Sequence, residues 1–195
     1  HAAHGLEDLP RADALYAQAM QAMQALHPQG NPDMAVLLNN RALLNEDRGD
    51  LAAALALHRQ SLAMRRKVFS KEHPMTLTAL VNVARVSLQT GEVAAALPLA
   101  EDAAKLADRV YAAAPNGRHA STFATLAEAR LATGDAAGAA TAMRRADMLL
   151  ARLDQPAPSV ATYLQKVRAR LCAAAISAAC SANASPATSA RVQSG

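Results

Sequence analysis

The sequence predicts an all-α fold, an α-solenoid of antiparallel helix pairs. Three observations lead there. Hydrophobic residues make up 52% of the chain and aromatics only 3%, alanine dominates, and no convincing run of alternating valine, isoleucine or threonine marks a strand. One stretch recurs three times at nearly constant spacing. Each copy is split by a glycine into two segments of helical periodicity.

The recurrence is clearest when "PDMAVLLNNRALLNEDRGDLAAAL", from Pro32, is set over "PMTLTALVNVARVSLQTGEVAAAL", from Pro74, at an offset of 42. Leu38 then falls on Leu80, Asn40 on Asn82, Ala42 on Ala84, Gly49 on Gly91 and Leu55 on Leu97. A third copy follows at an offset of 43, where Phe123, Ala127, Gly134 and Ala139 match Leu80, Ala84, Gly91 and Ala96. In the second copy Leu77, Leu80, Val81, Ala84 and Leu88 keep helical spacing. The turns "RGD", "TGE" and "TGD" supply the glycine that stops a helix, and Asp50 or Asp135 after it can cap the next one. So short a turn forces the two helices antiparallel. Ala54, Ala96 and Ala139 are small where the paired helices come close.

The elements run in order. Residues 1–30 hold a leading half-unit, because "LPRADALYAQAMQAMQAL" sets Ala12, Tyr16 and Ala19 in the places of Ala54, His58 and Ser61. Repeat 1 spans 31–72, repeat 2 spans 73–115 and repeat 3 spans 116–156, with Pro or Gly breaks between them. Residues 157–180 form a capping helix that carries Lys166, Arg168 and Arg170, polar enough to end a stack. The tail, 181–195, has too little apolar content to pack and is expected to be disordered. The chain opens on His1 with an incomplete first unit, which points to a piece of a longer protein.

This pattern resembles the tetratricopeptide repeat over residues 6–155, and more loosely over 156–178. Shared features are the large apolar residue (Leu38, Leu80, Phe123), the alanine four on, the turn glycine, an alanine five beyond it, and a small residue on the second helix (Ser61, Ala103, Ala146). The 42-residue period, the "HP" start with L-x-N-x-A, and Pro98 early in a second helix are similar to the long kinesin-light-chain-like variety. HEAT-type repeats share the period range but usually lack this glycine turn followed by alanine.

The resemblance implies a right-handed superhelix whose first helices line a concave groove for a protein or peptide. The residues it puts in that groove are Val36, Asn39, Asn40 and Leu43; Thr78, Asn82, Arg85 and Gln89; and Ser121, Thr125 and Glu128. Asn40 and Asn82 stand where peptide-binding relatives hold a ligand backbone, and an amide both donates and accepts. The alternative is that these asparagines bond to the neighbouring unit and set its stacking. Asn39, Val36 and Thr78 replace the lysines that some relatives use to clamp a terminal carboxylate, so no such clamp is expected. Arg41 aligns with Val83 and Leu126, and either reaches the surface along its aliphatic stem or points into the groove. A second reading has this chain as the regulatory or sensor region of a larger bacterial signalling protein, such as a serine/threonine kinase or transcription regulator.

No chemistry competes with binding. None of the six histidines forms H-x-x-x-H or joins a cysteine at zinc-ligand spacing, so no metal is expected. No Walker loop, G-x-S-x-G or G-x-G-x-x-G occurs, so neither cofactor nor enzyme activity is expected. Residues 1–116 carry 11 Lys and Arg against 12 Asp and Glu, a net −1; residues 117–195 carry 9 against 4, a net +5. That basic third lacks the interleaved aromatics of a single-strand binder, so nucleic acid is not an expected partner. Arg65, Arg66 and Lys67 sit near a helix C-terminus, where the dipole favours cations. Cys172 and Cys180 are eight apart, about 12 Å of rise on one helix, too far for a disulfide unless the helix ends between them. No apolar stretch is long enough to span a membrane and no signal peptide is visible. The compartment stays open.

Overall fold

Eight α-helices make up the regular structure of the described residues, with no strand among them. A computed structural model describes residues 9–70 and 72–174. The helices are α1 (Leu9–Leu26), α2 (Pro32–Asp47), α3 (Leu51–Val68), α4 (Pro74–Gln89), α5 (Val93–Val110), α6 (Gly117–Ala132), α7 (Ala136–Leu150) and α8 (Pro158–Ala173). They fall into two units, α1–α5 and α6–α8, divided in the chain between Pro115 and Asn116.

Three pairs, α2 with α3, α4 with α5, and α6 with α7, are closed by the same turn. Gly49 N–H donates to Glu46 O (2.9 Å) and Asp50 N–H to Asn45 O (2.9 Å). The same two bonds recur at Gly91 and Glu92, and at Gly134 and Asp135. This is the Schellman geometry, which needs a left-handed residue, and the three glycines have φ of +78°, +81° and +83°. Asp50 and Asp135 then cap the helix they introduce, accepting from Ala53 N–H (3.0 Å) and Gly138 N–H (2.8 Å). Glu92 makes no such cap and instead pairs with Arg59 on α3.

First helices start alike as well. Asn31, His73 and Asn116 are their N-caps. His73 accepts Met75 N–H at Nδ1 (3.1 Å), just ahead of Pro74 at the first helical position. The "HP" at His27 does not start a helix; that role passes to Asn31 and Pro32.

Within the first unit α1 packs on α2, α3 on both α2 and α4, and α4 on α5. Ala54 and Ala96 are fully buried, as are Ala42 and Ala84 on the facing first helices. Small side chains let the backbones come close enough for Ser61 Oγ to donate to Ala35 O (2.8 Å). The core is built from Leu55, Leu62, Leu77, Leu80, Val83 and Leu106. In the second unit α8 packs on both α6 and α7 through buried Leu164, Val167 and Leu171. Pro98 lies on the exposed side of α5, where the carbonyl its missing N–H would have bonded is left near solvent.

Arg65 lies in the last turn of α3 and turns inward. It is buried and donates through Nη1 to Met75 O on α4 (2.6 Å). Helix α8 ends at Ala173, and Cys172 is disulfide-bonded. The only other cysteine, Cys180, and the tail 181–195 lie outside the described residues.

Candidate functional site

The stripe expected on α2 has Val36 and Leu43 at its two ends, 36% and 39% exposed, with Asn39 and Asn40 half-buried between them. On α4, Thr78 and Asn82 are half-buried and Gln89 is exposed. Thr78 Oγ1 donates to Pro74 O one turn back (3.1 Å). Asn82 crosses to the neighbouring first helix: its Nδ2 donates to Asn39 Oδ1 (2.9 Å). One of the aligned asparagines thus does what the stacking alternative requires, with Asn39 rather than Asn40 as its partner. Asn40 has no side-chain hydrogen bond of this kind among the described residues.

Arg85 is held by Glu46, with Nη2 to Oε1 at 2.8 Å and Nη1 to Oε2 at 2.7 Å. His58 Nε2 lies 2.8 Å from Glu46 Oε1, so one carboxylate joins α2, α3 and α4. His58 itself is 1% exposed. Burial would raise the Glu46 pKa, but the hydrogen bonds from His58 and Arg85 outweigh it and bring the value down to about 2. Glu46 is therefore ionised at neutral pH, and Arg85 and Glu46 answer each other's charge. What the α2–α4 face has left to offer is mainly amide and apolar chemistry.

Arg41 is half-buried, with 30% of its side chain exposed. It turns toward α1, where Nε and Nη2 donate to the two carboxylate oxygens of Asp13 (2.6 and 3.2 Å). The equivalent Val83 and Leu126 are buried among helices. Each guanidinium and carboxylate of this pair shifts the other further into its charged range, chiefly through the shared hydrogen bond.

In the second unit, Ser121 Oγ donates to Arg118 O (3.0 Å). Thr125 is buried, and its Oγ1 lies 3.0 Å from Tyr163 Oη. Tyr163 donates to Glu128 Oε2 (2.6 Å), and Arg170 pairs with Glu128 Oε1. Helix α8 thus covers Thr125 and Glu128, leaving Ser121 as the half-exposed candidate on α6. Arg168 pairs with Asp147 (2.6 Å) and Arg130 with Asp135 (3.9 Å), so three cations of the basic third already have carboxylate partners. Sequence reading missed Tyr163, Asp13 and His58 as partners; the outward clue was a polar residue at a place where other copies carry an apolar or small one. Among the described residues no cluster of three or more His, Cys, Asp or Glu could hold a metal, and no helix is long and apolar enough to cross a membrane.

The family model for the tetratricopeptide repeat matches residues 33–109. Residues 33–109 carry tetratricopeptide repeats. Tetratricopeptide repeats are generally protein-interaction scaffolds, and their fold is typically non-catalytic. Solved structures agree on the fold. BtubC (BKLC) from P. vanneervenii is 20% identical, with a TM-score of 0.68 over 96% of this chain and 79% of that one. A candidate kinesin light chain from Podosopora anserina, with nearly identical TPR-like repeats, is 20% identical with a TM-score of 0.62 over 92% of this chain and 90% of that one. A single-residue variant of that protein has a TM-score of 0.64 at the same identity, over 91% of this chain and 90% of its own. Each of these neighbours shares the helix-pair fold of this chain. No curated protein sequence matches this chain significantly.

Proposed function

We propose that this chain is a non-catalytic binding scaffold whose α2–α4 face holds a peptide segment of a protein partner. The observation that carries the reading is the α2 stripe: two exposed large apolar side chains, Val36 and Leu43, flank the amides of Asn39 and Asn40. An extended peptide presents backbone donors and acceptors between side chains, and this stripe offers an amide between two apolar contacts. Asn40 is the amide free to turn to a ligand, because Asn39 already accepts from Asn82. Arg85, fixed by Glu46, is a pre-set wall rather than a charge seeking an acid. Of the remaining candidates, Thr78 and Gln89 would contact the ligand's margins; in the second unit Ser121 is half-exposed on α6, while Thr125 and Glu128 support α8.

The test is selection of peptides from a random library on the full chain, followed by affinity measurement with variants. Leu43→Asp and Asn40→Ala should each weaken the selected peptides at least about tenfold, the scale set by losing one well-placed contact. Peptides that bind both variants as tightly as the parent would place recognition elsewhere and defeat the proposal.

A further inference from the structure

A cleft of about 390 Å³ opens between α3 and α5, with α4 beneath it. Its floor includes the core residues Leu80 and Leu106, 4% and 3% exposed. Arg66 from α3 and Lys105 and Arg109 from α5 stand at its walls, with Asp102 as the one acid lining it among the described residues. Three cations against one acid leave the cleft with a surplus of positive charge.

The cations of the cleft differ in their pairing from several others of the chain. Arg41, Arg59, Arg85, Arg168 and Arg170 each have a carboxylate partner. Among the described residues Arg66 and Lys105 have none. Arg109 has Glu72 at 3.1 Å, but both side chains are more than half exposed, and such a pair gives way readily to a better-placed anion. An apolar floor of this volume, at the small end of ligand cavities, beside unanswered positive charge, fits a compact apolar group carrying a negative head. Arginine and lysine at the wall suit a carboxylate, which accepts several charge-assisted hydrogen bonds at once.

We infer that the α3–α5 cleft binds an apolar carboxylate, with the carboxylate on Arg66 and Lys105 and the apolar body on Leu80 and Leu106. Two sources share that chemistry: a free aliphatic acid, and a peptide C-terminus ending in a large apolar residue. The site is independent of the α2–α4 face.

Calorimetric titration of the full chain distinguishes the sources. The probes are hexanoate, 1-hexanol, and an acetylated tripeptide ending in leucine with either a free or an amidated C-terminus. Saturable binding of hexanoate, or of the free-ended tripeptide but not its amide, supports the inference and names the source. 1-Hexanol should bind about tenfold more weakly than hexanoate, and Lys105→Glu and Arg66→Glu should each weaken the carboxylate by about tenfold, as expected for one charged hydrogen bond. Asn40→Ala should leave it unchanged, which separates this site from the peptide face. The inference is overturned if neither carboxylate saturates, if 1-hexanol binds as well as hexanoate, or if both charge reversals leave binding intact.

Discussion

Asn82 on α4 donates to Asn39 on α2 across 2.9 Å, joining two first helices through residues 43 apart in sequence. The bond is part-buried and uses one donor of the first amide and one acceptor of the second. It ties the stacking of the pairs to the shape of the proposed binding face.

Removing either amide should therefore cost stability as well as any affinity. Asn82→Ala and Asn39→Ala are each expected to destabilise the chain by about 1 kcal/mol, with the double variant no worse than about the larger single effect. Urea denaturation of the four proteins measures this coupling. Full additivity would show that the two side chains do not act as a pair.

Glu46 supplies a pH dependence of known sign. Its pKa falls from 4.5 to about 2 on folding, so the carboxylate stabilises the fold fully above pH 4.5 and progressively loses that contribution as the pH drops through 2. The stability difference between the parent and Glu46→Gln should be largest at about pH 6 and shrink as the pH falls from 4.5 to 2. Denaturant midpoints on either side of the unfolded-state value are enough to see it. A difference that grows on acidification would contradict the His58–Glu46–Arg85 arrangement.

Gly91 tests the turn. A Cβ added there meets nothing within 4 Å, so only the backbone φ of +81° opposes substitution. Gly91→Val should destabilise by about 1–2 kcal/mol, while Gly91→Asn, which tolerates the left-handed region, should cost less. The order of the two melting temperatures decides; equal values would mean the turn relaxes out of its left-handed state.

Tyr163 tests the last helix. Tyr163→Phe keeps the ring but removes the hydroxyl shared by Glu128 and Thr125. A loss of about 1.5–3 kcal/mol is expected for a hydrogen bond to a charged group, and amide-exchange protection should fall in α6 and α8 while α2 and α3 stay protected. Uniform loss across the chain would argue against separate local stabilities.

These residues also show what the sequence makes legible. Turn glycines, capping aspartates and fully buried alanines depend on local geometry that each copy must solve in the same way, so aligning copies exposes them. The caps Asn31, His73 and Asn116 share a spacing too, though one is a histidine and so breaks the pattern of residue type. Bonds between pairs are different. Asn82 aligns with Asn40 but bonds to Asn39, one position and about 100° of helical rotation away. Arg85 aligns with Leu43 but is held by Glu46. Stacking joins unlike places of successive copies, and alignment compares only like places. Arg41 is the same lesson at the leading end, where a polar pair with Asp13 stands in for apolar packing.

The turns inside the three pairs each have three residues, 48–50, 90–92 and 133–135, and in each the residue after the glycine serves as N-cap of the helix that follows. The connections after α3 and α5 have five and six residues, 69–73 and 111–116, and the single extra residue that stretches the period from 42 to 43 sits in the longer one. Each helical hairpin thus behaves as a sealed cassette with tolerant joints on either side. Copying, excising or shuffling such a gene at the joints preserves the left-handed turns at Gly49, Gly91 and Gly134, whereas a cut inside a hairpin destroys one of them. Lengthened variants of this protein are best sought, or built, by splicing there.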